Sequence, residues 1–395
     1  MLLYIHVPFC KTRCNYCAFS SIAVGDLQML SGYNTSETPN KQLQLVDLWL
    51  ETLLLEIKHW GTTLNNNTLT TIFFGGGTPS LLSEDKIALI INCINKYFTL
   101  NKGIEITIEA NPESSGNTGY LYSLLKLGVN RLSLGVQSLD DANLHELGRS
   151  HTVRHVYNTV NVARQAGFNN INLDLIWGLP SQSATAWMNT LKEVVKLKPE
   201  HLSCYGLSIE PNTKFAHELA AEKLHLPNER TQSLMFVQGA AFLEELGYIH
   251  YEISNFARMG FKCLHNMGYW EAKDYLGLGP SATSTISQQR WTNPSDLSEW
   301  SNNVKNGLFS SQIEHLDQQT QLVELIMLGL RTAKGLNIKE YNALSGKNFM
   351  NEYKNIIEAL HKKRLLRIKN GYLILTNNGM LVSNSIIEAF TNNIG

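Results

Sequence analysis

The sequence predicts an α/β protein: a partial (β/α) barrel followed by a small winged-helix-like α+β module. Three observations carry this expectation. Short apolar runs that end in polar residues recur along the first half of the chain. Amphipathic stretches of helical length separate them, as in βαβ units around a parallel sheet. Near the C terminus, two amphipathic segments precede Asn370–Gly371, a dipeptide that signals a hairpin when set between β-rich runs.

The first run, YIHV, leads directly into FCKTRCNYCAF. Residues 24–42 are polar and turn-rich and read as a loop. A helix should follow, because Leu43, Val46, Leu50, Leu53, Leu54 and Ile57 recur at helical spacing. TTIFFGGGTP (70–79) reads as a buried strand turning sharply at Gly75, Gly76 and Gly77, where the backbone can approach a ligand and exposed amides can hold a carboxylate. Four further strands are expected in IEITIEAN (104–111), NRLSLGVQS (130–138), NINLDLIWGLP (170–180) and HLSCYGLSIEP (201–211), with helices over 119–128 and 152–167 among the connections. Ligands of such barrels sit at the C-terminal ends of the strands, which makes Glu109, Gln137 and Asp174 site candidates, with Arg149 close behind in LGRSH. A polar residue at a strand end is more often a cap or a surface group, so none of these stands alone.

The barrel pattern spans 1–215 and fades beyond it. Residues 216–311, with YIHYEIS (248–254) and DYLGLGPSA (274–282), read as sheet extension and cover. The C-terminal module occupies 312–395: a helix carrying Leu322, Leu325, Ile326 and Leu330, a second over 349–363, and the hairpin LLRIKNGYLILT (365–376).

Chemistry concentrates in Cys10, Cys14 and Cys17, spaced CxxxCxxC. A structural zinc site needs four ligands, and no second pair follows, since Cys93, Cys204 and Cys263 are scattered. Six cysteines in 395 residues without a signal peptide do not make a secreted disulfide framework. Three thiolates on a [4Fe–4S] cluster would leave one iron without a protein ligand, free to bind a small molecule.

The motif after the first strand, with an aromatic beside its last cysteine, resembles the cluster motif of the radical S-adenosylmethionine (SAM) superfamily. GGGTP resembles the segment that grips the methionyl end of SAM in the coproporphyrinogen dehydrogenase-like branch. The resemblance runs from YIHVPFC through GGGTPS, IEANP, GVQS, LDLIWGLP and IEPNT to the C-terminal region. It implies a [4Fe–4S] cluster on Cys10, Cys14 and Cys17. It also implies SAM contacts from Tyr4, Gly76, Gly77, Thr78, Glu109, Gln137, Arg149 and Asp174, and an electron donor for the cluster.

That branch holds two related groups, the oxygen-independent coproporphyrinogen III dehydrogenases and the HemW-type haem chaperones. Three departures favour the chaperones. The chain begins almost directly with its first strand, where the dehydrogenases carry an extension. Phe19 stands where they have a fourth cysteine, and CLHNMGYW (263–270) looks like the chaperones' HNxxYW motif. The resemblance therefore implies a haem chaperone with a haem-receiving client, His265 as leading axial ligand, and Asn266, Tyr269 and Trp270 beside it, with Cys263 a weaker alternative. Haem does need an axial ligand and a flat apolar wall, although a buried histidine and a Tyr–Trp pair more often serve a core. The dehydrogenase, an enzyme that decarboxylates porphyrinogen propionates by hydrogen abstraction, is the alternative; a scaffold that binds cluster and haem without cleaving SAM is a third.

With 43% hydrophobic and 17% charged residues, the chain is globular and long enough for a large core. A net charge of −1 and a short basic run, KKR (362–364), give no case for nucleic acid. No apolar stretch reaches the ~20 residues that cross a bilayer. Reduced thiols without a targeting segment point to the cytoplasm. Composition leaves open a membrane-bound client, peripheral membrane contact and the oligomeric state.

Overall fold

The structure, a computed structural model, describes residues 1–25, 41–392 and 394. Most of the loop expected over residues 24–42 lies outside the described residues.

Six strands run parallel: β1 (Leu2–Val7), then, beyond the short pair β2 (Phe9–Cys10) and β3 (Ile22–Ala23), β4 (Thr68–Gly76), β5 (Thr99–Ala110), β6 (Arg131–Gln137), β7 (Ile171–Trp177) and β8 (His201–Gly206). Their near-continuous apolar character follows from burial on both faces, with helices outside and side chains within. The helix Lys41–Thr63 buries Val46, Trp49, Leu50, Leu53 and Ile57, close to the expected stripe, with Leu43 and Leu54 packed at its margin. The helix Val153–Ala166 is fixed at one end by a Thr152–His155 capping box and at the other by left-handed Gly167 (φ 110°).

Both edges of the barrel sheet are extended. On the far side of β8 lie β9 (Ile249–Glu252) and β10 (Asn255–Ala257), both antiparallel additions. Beside β1 lies β11 (Tyr275–Leu278), parallel to it, followed outward by the antiparallel β12 (Thr283–Ile286), β13 (Gln289–Thr292) and β14 (Glu314–His315). The order β14-β13-β12-β11-β1-β4-β5-β6-β7-β8-β10-β9 has two free ends, so the barrel does not close. Buried Glu56 anchors the β11 edge, accepting from Gly279 N at 2.8 Å and Asn293 Nδ2 at 2.8 Å.

The C-terminal region has its own core, in which Leu322, Ile326 and Leu330 pack with the rings of Tyr341, Phe349, Tyr353 and Phe390. Its sheet is β15 (Leu336–Asn337), β17 (Tyr372–Leu375) and β16 (Leu366–Lys369), with β17 central. Asn370 (φ 53°) and Gly371 (φ 80°) both take positive φ, as a two-residue type I′ hairpin turn requires. The helix expected over 349–363 is two helices, Phe349–Glu352 and Lys354–Lys362. Tyr353 leaves helical geometry (ψ 18°) between them while its buried ring stays in the aromatic cluster.

Candidate active site and the barrel floor

The C-terminal ends of the parallel strands surround a cleft of about 610 Å³. Cys10, Cys14, Cys17, Gly76, Gly77, Thr78, Glu109, Gln137, Arg149 and Asp174 all line it. Residues separated by more than 160 positions therefore converge at one end of the sheet; Asp174, expected at a strand end, instead lies within β7, from where it still reaches the cleft. Tyr4 does not line the cleft: its ring lies among His6, Phe73 and His265, and its hydroxyl is 3.2 Å from His6 Nδ1.

The three cysteines are unbridged thiols, partly exposed. Burial raises the pKa of Cys10 and of Cys17, and nearby donors oppose that cost. Thr78 Oγ1 donates to Cys10 Sγ at 3.7 Å, and Arg149 Nη1 donates to Cys14 Sγ at 3.4 Å. Such donors suit thiolate sulfur bound to iron. Among the described residues, no three His, Cys, Asp or Glu side chains converge on one point as a single metal ion needs. Thiolates spread around a multi-iron cluster need no such convergence.

The glycine turn is held against β1. Gly77 N donates to Val7 O at 2.8 Å and Thr78 N to Phe9 O at 2.7 Å, while Gly76 N donates to Glu109 Oε2 at 3.1 Å. These amides are bonded within the protein, and the carboxylate that Gly76 N meets is that of Glu109. Gly77 is required sterically: a Cβ there would lie 2.5 Å from Phe9 O. Gly76 adopts φ 107°, and a Cβ would meet the His6 ring at 2.6 Å.

The group suited to a carboxylate is Arg149. Its Nη2 donates to Asn111 Oδ1 at 2.6 Å and Gly135 O at 2.8 Å, whereas its Nε is buried without a partner. Opposite it, burial pushes Glu109 up to about 8, with the Asp174 charge adding to the shift. Burial likewise raises Asp174, opposed by hydrogen bonds from Ser203, Asn172 and Ser133. A ligand bearing hydroxyls or positive charge suits two such carboxyls. Gln137 is held at φ 63°, a strained value for a non-glycine residue, at the end of β6. An orphaned guanidinium N–H, a glycine turn and two buried acids with lone pairs to spare fit a zwitterionic, ribose-bearing ligand. Sequence reasoning missed Tyr16, Ser133, Tyr205 and Asn111 in this wall. Asn111 had a signal, since it too ends a strand, in IEANP.

The HNMGYW segment lies elsewhere. It forms the helix Leu264–Trp270 at the opposite end of the barrel, where a Cβ on Gly268 would strike Leu2, the first residue of β1. Glu105 clamps this helix, accepting from Leu264 N at 3.1 Å and His265 N at 3.0 Å. His265 is 1% exposed; Nδ1 is 2.7 Å from Thr71 Oγ1 and Nε2 is 3.2 Å from Tyr269 OH. Burial, helped by Arg131, drives its pKa down to about 3, so the ring is neutral. Asn266, Tyr269 and Trp270 are half-buried, and none of the four residues lines the cleft. Cys263 is fully buried, its thiol pushed up to about 12 by burial. In this conformation neither His265 nor Cys263 is open to a planar ligand. Axial ligation by His265 requires Nε2 to exchange its tyrosine partner for iron.

Comparison with known proteins agrees with this architecture. The Radical SAM superfamily model matches residues 4–194, and the HemN C-terminal domain model matches residues 316–382. The heme chaperone HemW of Bacillus subtilis is 32% identical over 389 residues, covering 98% of each chain. HemW of Haemophilus influenzae is 36% identical over 288 residues, 72% of this chain and 70% of its own. The structure of Escherichia coli coproporphyrinogen III oxidase (HemN), described as a radical SAM enzyme, superposes with a TM-score of 0.81 at 25% identity, covering 99% of this chain and 89% of that one. No helix among the described residues is long and apolar enough to cross a membrane. By this likeness along its length, the chain belongs to the HemW-type branch of the radical SAM superfamily.

Proposed function

We propose that this protein is a haem chaperone that holds a [4Fe–4S] cluster and SAM in the cleft and binds haem through the segment around His265 for delivery to a client haemoprotein. What carries the reading is the likeness to HemW proteins over 98% of the chain, supported by a cleft that Cys10, Cys14, Cys17, Arg149, Glu109 and Asp174 line together. Cys10, Cys14 and Cys17 would hold the cluster, which when bound supplies an electron to a sulfonium ligand. Arg149 takes the ligand carboxylate through the N–H it leaves unpaired. Glu109 and Asp174 accept from ribose hydroxyls and the ammonium, Gln137 bonds the ribose, and Gly76, Gly77 and Thr78 keep the turn thin enough for the methionyl end. Asn266, Tyr269 and Trp270 flank His265, and the cytoplasm suits the reduced thiols.

The second reading, a coproporphyrinogen III dehydrogenase, is favoured by the structural similarity to HemN. Haem titration of anaerobically reconstituted protein separates them. A chaperone gives a Soret shift that weakens in His265→Ala. No shift, together with conversion of coproporphyrinogen III to protoporphyrinogen and release of methionine, would replace the chaperone by the enzyme.

A further inference from the structure

One side chain joins the two thiol-facing donors of the cleft. Asn111 follows β5, its backbone fixed because its carbonyl accepts from Ser114 N at 3.0 Å and Ser115 Oγ at 2.7 Å. Its Oδ1 accepts from Arg149 Nη2 at 2.6 Å, and its Nδ2 donates to Thr78 Oγ1 at 3.1 Å. A guanidinium cannot accept a hydrogen bond, so the amide has one workable orientation: oxygen to Arg149, nitrogen to Thr78. The Thr78 hydroxyl, accepting from Asn111, is left to turn its own proton to Cys10 Sγ, while Arg149 reaches Cys14 Sγ with its other terminal nitrogen.

We infer that Asn111 is a positioning residue for the cluster and SAM site, directing the Thr78 hydroxyl to Cys10 and the Arg149 guanidinium to Cys14 from one amide. The inference rests on the cluster-and-SAM reading above. Hydrogen bonds to cluster sulfurs raise the reduction potential, and second-layer partners fix the groups that donate them. Asn111 therefore sets two such bonds together, and holds Arg149 where its remaining N–H meets the SAM carboxylate.

The test compares anaerobically reconstituted wild type with Asn111→Leu, which keeps the branched side-chain skeleton and removes both hydrogen bonds, with Thr78→Val, and with the double variant. The readouts are iron and sulfide content, the cluster midpoint potential from an EPR-monitored titration, and the SAM dissociation constant. Asn111→Leu should hold wild-type iron at a more negative potential and bind SAM about tenfold more weakly, the loss expected when a charge-assisted bond is no longer held in place. Thr78→Val should lower the potential less, and adding it to Asn111→Leu should change nothing further, because Asn111 acts partly through Thr78. A wild-type potential and SAM affinity in Asn111→Leu, or additive shifts in the double variant, would overturn the inference. If Asn111→Leu takes up no cluster, Asn111→Ser decides: full iron with a lowered potential sustains the inference, and a wild-type potential ends it. Wild-type protein that holds neither cluster nor SAM would instead refute the underlying reading.

Discussion

The tyrosine on His265 makes the haem proposal quantitative. For the ring to bind iron through Nε2, Nδ1 must carry the proton and donate it to Thr71, whose hydroxyl at 2.7 Å is placed to receive it. The competing partner is Tyr269 OH, 3.2 Å from Nε2. Tyr269→Phe removes that competitor yet keeps the ring, which packs edge-on against His265 at 5.0 Å and Tyr275 at 4.8 Å. A neutral hydrogen bond contributes about 0.5–1.5 kcal/mol net, so haem should bind Tyr269→Phe roughly two- to tenfold more tightly than wild type. The assay is a Soret titration of haem into reconstituted protein, with His265→Ala as reference. Unchanged or weaker binding in Tyr269→Phe, with its near-ultraviolet circular dichroism intact, would refute ligation through this nitrogen.

Three further outcomes follow from the geometry. Gly77→Ala must push its Cβ off Phe9 O, 2.5 Å away, and should lose about 1–3 kcal/mol in urea unfolding together with iron uptake; wild-type values for both would show that the turn is not constrained by β1. Arg149→Lys cannot serve Cys14, Asn111 and Gly135 with one ammonium, so SAM affinity measured by calorimetry should fall at least about tenfold; retention would remove Arg149 from the SAM site. Buried Glu252 is pushed by burial up to about 7 from 4.5, so its contribution to stability is full below pH 4.5 and is lost as the pH rises through 7. Glu252→Gln does not titrate, and its stability relative to wild type should rise by about 2–3 kcal/mol between pH 5 and pH 8; parallel unfolding curves at the two pH values would contradict this.

The parallel strands were legible because burial on both faces leaves apolar runs that stop at a polar residue. That rule located Glu109 and Gln137 near their strand ends together with the cysteine loop and the glycine turn, whereas Asp174 lies inside β7. It stopped short at Asn111, whose role depends on a guanidinium 38 residues away rather than on its own segment. The strand β11 lies in the segment read as sheet extension, but its partner was hidden for a related reason: its parallel pairing with β1 joins residues some 270 positions apart, and no local pattern specifies that partner. The break at Tyr353 was masked by a continuous amphipathic pattern, since its cause is tertiary packing of the ring. His265 was found by motif, but its burial depends on Glu105 and Tyr269, contributed by another strand and the next helical turn.

β1 starts against the Leu264–Trp270 helix and finishes beside the cysteine loop. At about 3.3 Å per residue, that strand holds its two ends roughly 17 Å apart. On the proposed reading, haem exchanged near His265 would stand a strand's length from the cysteine cleft, so a recipient docking at the one end would leave the other untouched.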